Sequence, residues 1–140
     1  MIKVYELSNG IKTIMESCDF FHSVSFGVWV KVGSRSETKE NNGIAHMTEH
    51  MLFKGTETKT AGEIARITAK LGGNLNAYTS KECTSYYCKT LPELLEPAIE
   101  VIADMVCHSA VREEDLENEK TVVCDEIDMY KDSAEDYVHE

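Results

Sequence analysis

Residues 23–32 alternate, with Val24, Phe26, Val28, Val30 and Val32 on one side and Ser23, Ser25, Trp29 and Lys31 on the other. This period of two marks a strand with one face on a core. Trp29, on the second face, is expected to pack under a loop or a neighbouring domain. Upstream, apolar runs at 4–7 and 11–16 flank Ser8-Asn9-Gly10, the strongest short-range hairpin signal. Runs at 74–80 and 83–91 predict two further strands joined by a short turn near Lys81-Glu82.

Elsewhere the period lengthens to that of helices. After a polar loop at 33–42, a helix carries Ile44, Met47, Met51 and Leu52 on one side, with Asn41 or Asn42 as its cap and Gly55 closing it in the left-handed conformation. Thr60-Ala61-Gly62-Glu63 reads as a capping box; Ile64, Ile67 and Leu71 form the stripe behind it and Gly72-Gly73 end it. A third helix is expected over 93–108, with Leu94, Leu95, Ala98, Ile102 and Met105 inward, Pro97 either starting its regular part or kinking it, and His108 facing the dipole at its end. The last long helix, 113–131, opens with Glu113, Glu114, Asp115 and Glu117, where the macrodipole favours acids. The expected fold class is α+β, a mostly antiparallel sheet with helices packed on one face, in one domain.

Composition narrows the function classes. The chain has 140 residues, 42% hydrophobic and 28% charged, as in an ordinary globular domain. A net charge of −11 argues against nucleic acid and against anionic membrane surfaces as partners. Neither a membrane span nor a signal peptide is predicted. Cys18, Cys83, Cys88, Cys107 and Cys124 are odd in number and irregular in spacing, which fits a reduced, cytoplasmic chain. Cys83 and Cys88, five apart on one expected strand, fall on opposite faces and do not chelate together.

The chemistry concentrates in His46-Met47-Thr48-Glu49-His50. On a helix His46 and His50 stand one turn apart, with Glu49 beside them and Phe53 below, opposite the apolar side. Hydrolytic zinc takes three protein ligands and keeps a fourth position open. His46 and His50 supply two ligands, and Glu49, too close in sequence to be a comfortable third, is placed to take a proton from water. The pattern H-x-x-E-H inverts the H-E-x-x-H zinc-protease signature. A third ligand must come from elsewhere. Along the last helix, Glu119 and Glu126 interrupt a stripe made by Val122, Val123 and Met129 or Tyr130, and a metal at Glu126 would remove the cost of burying its charge.

Three stretches carry a resemblance: 43–56, including Gly43-Ile44-Ala45-His46-Met47-Thr48-Glu49-His50-Met51-Leu52-Phe53-Lys54-Gly55-Thr56; Gly73-Asn74-Leu75-Asn76-Ala77-Tyr78-Thr79-Ser80; and Val122-Val123-Cys124-Asp125-Glu126-Ile127. In these the chain resembles the pitrilysin or insulinase family of zinc peptidases, which includes the mitochondrial processing peptidases. The resemblance implies a metallopeptidase-like fold, one Zn2+ held by His46, His50 and Glu126, Glu49 as general base, and Glu119 in support of the catalytic site. It also implies that the strand around Asn76, Ala77, Tyr78 and Thr79 receives the substrate. If that strand is a sheet edge, an extended peptide can add to it; periodicity equally allows an internal hairpin.

Ser133-Ala134-Glu135-Asp136 looks like another helix start, and the chain stops at Glu140. This suggests the N-terminal portion of a peptidase domain, truncated before its end. The implied partners are a peptide substrate and a missing C-terminal half or homologous subunit. The expected function is hydrolysis of extended or unfolded peptides as a zinc metalloendopeptidase, against two alternatives: a non-catalytic assembly partner, or a fragment that self-associates.

Overall fold

The computed structural model describes residues 1–132, and the expected helix start at Ser133-Ala134-Glu135-Asp136 lies outside the described residues. Strands β1 (Ile2–Glu6) and β2 (Lys12–Glu16) pair antiparallel, and Leu7 and Ile11 close a three-residue loop in which Gly10 takes φ 85. That is the hairpin Ser8-Asn9-Gly10 predicts, with glycine at the left-handed position. It forms a sheet of its own, and Val4, Tyr5, Ile14 and Met15 stay exposed.

The main sheet contains β3 (Val24–Val30), β4 (Leu75–Thr79) and β5 (Thr84–Thr90), in the order β3-β5-β4, all antiparallel. The registers put Phe26, Val28, Val30, Leu75, Ala77, Tyr86 and Cys88 on one face, against α3 (Leu95–His108) and α1 (Ile44–Leu52). Val32, expected inward, falls beyond the strand and is exposed. Trp29, expected under a loop or a neighbouring domain, has no loop over it among the described residues. It is 63% exposed on the other face, its ring lies over Gly27, and its Nε1 is 3.4 Å from the Tyr78 hydroxyl.

Helix α2 (Ala61–Lys70) begins at the expected capping box: the Glu63 amide donates to Thr60 Oγ1 and the Thr60 amide donates to Glu63 Oε2. Its Ile64 joins Leu52, Leu71, Val101, Ile102 and Met105 in the core. Val101 was not foreseen there. α3 is preceded by a 3-10 turn over Pro92–Leu94, so its regular part starts two residues later than expected. Pro97 then sits in the first turn, where no amide is required, and does not kink the helix.

Two caps differ from expectation. The Glu37 carboxylate, rather than Asn41 or Asn42, accepts from the amides of Gly43 and Ala45 at the start of α1. Gly43 at φ 90 turns the chain so that this reach is available, while Asn41 bonds back to Thr38. As a result Ile44 is exposed and Ala45 takes the buried place. At the other end α1 stops at Leu52; Gly55, at φ 131, bridges to Thr60 instead of closing the helix.

His108 meets Asp104 Oδ1 at 3.2 Å rather than facing only the helix end. Asp104 also accepts from Thr56 Oγ1 at 2.8 Å and Lys59 Nζ at 2.9 Å, which fastens the loop after α1 to α3. The Lys59 hydrogen bond is the largest influence on the Asp104 carboxyl and, with those of Thr56 and Thr58, holds it below its ordinary value against the effect of burial. A depressed carboxylate stabilises the fold above its unfolded pKa, about 3.9, and that stability is lost as pH falls through the lower folded value. Asp104→Asn is expected to cost about 1.5–3 kcal/mol at neutral pH, the usual worth of charged hydrogen bonds. In urea unfolding the gap between variant and parent should narrow below about pH 4.

Helix α4 (Glu113–Asp132) packs against α1. Its contact stripe is Leu116, Glu119, Val123 and Glu126, with Glu119 and Val123 buried. Val122, Met129 and Tyr130, expected on that stripe, are exposed. Glu119, Val123 and Glu126 hold the places expected of them on the stripe, and Leu116 rather than Met129 or Tyr130 extends it.

Candidate metal centre

Three elements meet at the site. α1 presents His46, Glu49 and His50 on one face, α4 brings Glu119 and Glu126 across from it, and β4 runs along the other flank. Among the described residues His46, His50 and Glu126 form the one group with metal-ligand geometry. His50 Nε2 lies 3.1 Å from His46 Nε2 and 3.4 Å from Glu126 Oε2, and His46 Nε2 lies 3.6 Å from the same oxygen. A tetrahedral zinc ion with bonds near 2.0–2.1 Å separates its ligand atoms by about 3.3 Å. The triangle therefore has the dimensions of a zinc face, and its donor types are those zinc takes.

The protonation pattern agrees. Glu119 Oε1 accepts from His50 Nδ1 at 2.8 Å, and a carboxylate oxygen only accepts. A ring proton is thereby placed on Nδ1, and Nε2 is the nitrogen turned toward His46 and Glu126. Burial works to raise the Glu119 carboxyl, but hydrogen bonds and charge from Lys54 and His50 outweigh it and hold the group below the usual carboxylate range.

Glu49 stands outside the triangle. Its Oε2 accepts from the Thr79 hydroxyl at 2.5 Å, which aims the side chain along β4. Tyr86, buried on β5 in register with Ala77, has its phenol pushed up to about 12, first by burial and then by the negative charge of Glu49, and stays neutral. Glu49, His50, Phe53, Lys54, Asn76 and Glu119 line a cleft of about 290 Å³.

β4 is an edge strand. Ser80 donates to Cys83 and Lys89 donates to Asn74, so by alternation Asn76 and Tyr78 hold the ladder with β5, while Leu75, Ala77 and Thr79 turn their main-chain groups outward. The Ala77 amide is met by Asn76 Oδ1 at 2.9 Å. Of the four residues singled out on this strand, Asn76 lines the cleft, Ala77 offers an edge amide and Thr79 holds Glu49. The Tyr78 side chain lies on the far face with Trp29. Lys54, which pairs with Glu119 Oε2, was missed by sequence reasoning. Its spacing of four from His50 was the available signal.

A helix bearing H-x-x-E-H beside an antiparallel sheet, met by a glutamate from a second helix, defines a metallopeptidase-like class. The chain belongs to the insulinase family, peptidase family M16, whose model matches residues 12–140. It is 50% identical to the uncharacterized zinc protease YmxG of Bacillus subtilis over 140 residues, all of this chain and 34% of that one. An uncharacterized zinc protease of Streptomyces coelicolor is 40% identical over 96% of this chain and 29% of its own. The chain thus spans about a third of the length of these relatives. Among solved structures, a protease from Helicobacter pylori superposes with a TM-score of 0.85 at 33% identity, covering 90% of this chain and 30% of that one. The periplasmic protease PqqL from Escherichia coli shares the fold, with a TM-score of 0.87 at 21% identity over 99% of this chain and 16% of that one.

Proposed function

We propose that the chain is the N-terminal portion of a zinc metalloendopeptidase domain that cuts extended or unfolded peptides. The observation that carries this reading is the triangle of His46 Nε2, His50 Nε2 and Glu126 Oε2, with sides of 3.1, 3.4 and 3.6 Å. One zinc ion per chain fits there. When bound, zinc supplies a Lewis acid that polarises a carbonyl and lowers the pKa of water at its open position. Glu49, fixed by Thr79, accepts the proton of the attacking water and passes it to the leaving amine.

The free edge of β4 holds the peptide as an added strand, with Ala77 and Thr79 giving main-chain hydrogen bonds that carry little sequence preference. Asn76 borders the same cleft. The further length present in the relatives, whether in one chain or as a homologous subunit, closes the cleft from the opposite side. All five cysteines are free, which supports a reducing, cytoplasmic setting. Among the described residues no helix is long and apolar enough to cross a membrane.

Metal analysis joined to a quenched-peptide assay tests this. Zinc near one per chain, and cleavage removed by a chelator and restored by zinc, are expected. A chain that takes up no zinc even when it is added would overturn the reading.

A further inference from the structure

We infer that Lys54 is a positioning residue of the metal centre, acting through Glu119 on His50; the inference rests on the zinc reading above. Glu119 is the most enclosed acid of the site, its side chain 5% exposed, and its two oxygens are divided between two partners. Oε1 accepts from His50 Nδ1 at 2.8 Å, and Oε2 pairs with the Lys54 ammonium. A carboxylate in so dry a place needs both lone-pair satisfaction and a countercharge. His50 gives the first and Lys54 completes both.

The backbone fixes Lys54 for this task. Past the end of α1 the amides of Phe53 and Lys54 still bond to the carbonyls of His50 and Met51, at 3.1 Å each. The helix is thereby prolonged by a tight turn that brings the ammonium and the His50 imidazole to the same carboxylate. With Oε2 anchored, the remaining oxygen has one orientation, and it sets both the plane and the tautomer of His50. Without the ammonium, Glu119 can rotate toward the open cleft that Lys54 itself borders, and His50 Nε2 loses its aim at His46 and Glu126.

Changes in the groups that orient a metal-binding histidine cost about 10–100-fold in metal affinity, and Lys54, one contact further out, is expected to cost about tenfold. Zinc is titrated into the chain against a chelating dye for Lys54→Met, Lys54→Arg, Glu119→Gln and the Lys54→Met/Glu119→Gln double variant. Lys54→Met should bind zinc about tenfold more weakly and Lys54→Arg close to the parent. Lys54→Met should add nothing once Glu119 is glutamine, since residues that act through one another are not additive. Should Lys54→Met fail to fold by circular dichroism, Lys54→Gln carries the same comparison. Unchanged affinity in the lysine variant, or an equal loss in the Glu119→Gln background, overturns the inference while the parent still binds zinc. A parent that binds none overturns the zinc reading instead.

Discussion

Replacing Glu49 with glutamine is expected to abolish peptide cleavage while zinc stays bound near one ion per chain. The substitution keeps the shape of the side chain, and glutamine Oε1 can still accept from the Thr79 hydroxyl that holds Glu49 Oε2 at 2.5 Å. What it removes is the ability to take a proton. A positioned general base is worth about 10²–10⁴-fold in rate, so single-turnover cleavage of a quenched peptide should fall by at least that range. Zinc content should not follow, because Glu49 is outside the group formed by His46, His50 and Glu126. The measurement belongs in any preparation of the protein that cleaves, with metal analysis on the same samples. Unchanged turnover excludes Glu49 as the base, and a parallel loss of zinc makes it a ligand.

The separation between Glu49 and the ligand group could be anticipated from sequence because it is a matter of helical angle. His46 and His50 differ by four residues and share a ray of the helix; Glu49 lies to one side of it. The strands were equally open to reading, since alternation in β3 and β5 follows directly from burial on one face. Helix α4 was legible in part, since Glu119, Val123 and Glu126 take the inward places expected of them. Its apolar residues Val122, Met129 and Tyr130 suggest an inward stripe, yet all three are exposed and the inward positions are Leu116, Glu119, Val123 and Glu126. Periodicity locates a buried face by hydrophobicity, and here polar groups occupy the contact because a charged centre lies on the other side of it.

The same limit explains the missed capping and anchoring groups. Glu37 reaches Gly43 and Ala45 across six and eight residues, through a loop whose path no local pattern specifies. Asp104 gathers Thr56 and Lys59 from a loop far away in sequence. Lys54 stands four residues after His50 on its own segment, but its partner Glu119 lies on α4, and no spacing within one element reveals that contact. Long-range polar contacts are consequences of the assembled fold, and sequence spacing reveals only those made within one element.

The second large effect concerns Glu126, which joins the two helices of the site. α4 meets α1 through a narrow stripe in which Glu119 and Val123 are the buried residues, so little apolar area holds it in place. An ion bound by His46 and His50 of α1 and by Glu126 of α4 would cross-link the pair. Ligand that binds only the docked state stabilises it by about 2.7 kcal/mol at one hundred times its dissociation constant. Amide exchange along α4 should therefore slow about 100-fold when zinc is added at that level. The middle of α3, where Ala98 and Ile102 are 0% exposed, should respond less if α4 detaches without global unfolding. Structural zinc sites are worth about 10–16 kcal/mol over four ligands, so losing one of them in Glu126→Gln should weaken binding about 10²–10³-fold. At the same zinc concentration the protection of α4 should then nearly vanish, while His46 and His50 remain in place on α1. If α4 exchanges at one rate with and without zinc in the parent, the ion does not bridge the helices, and Glu126 is not the third ligand.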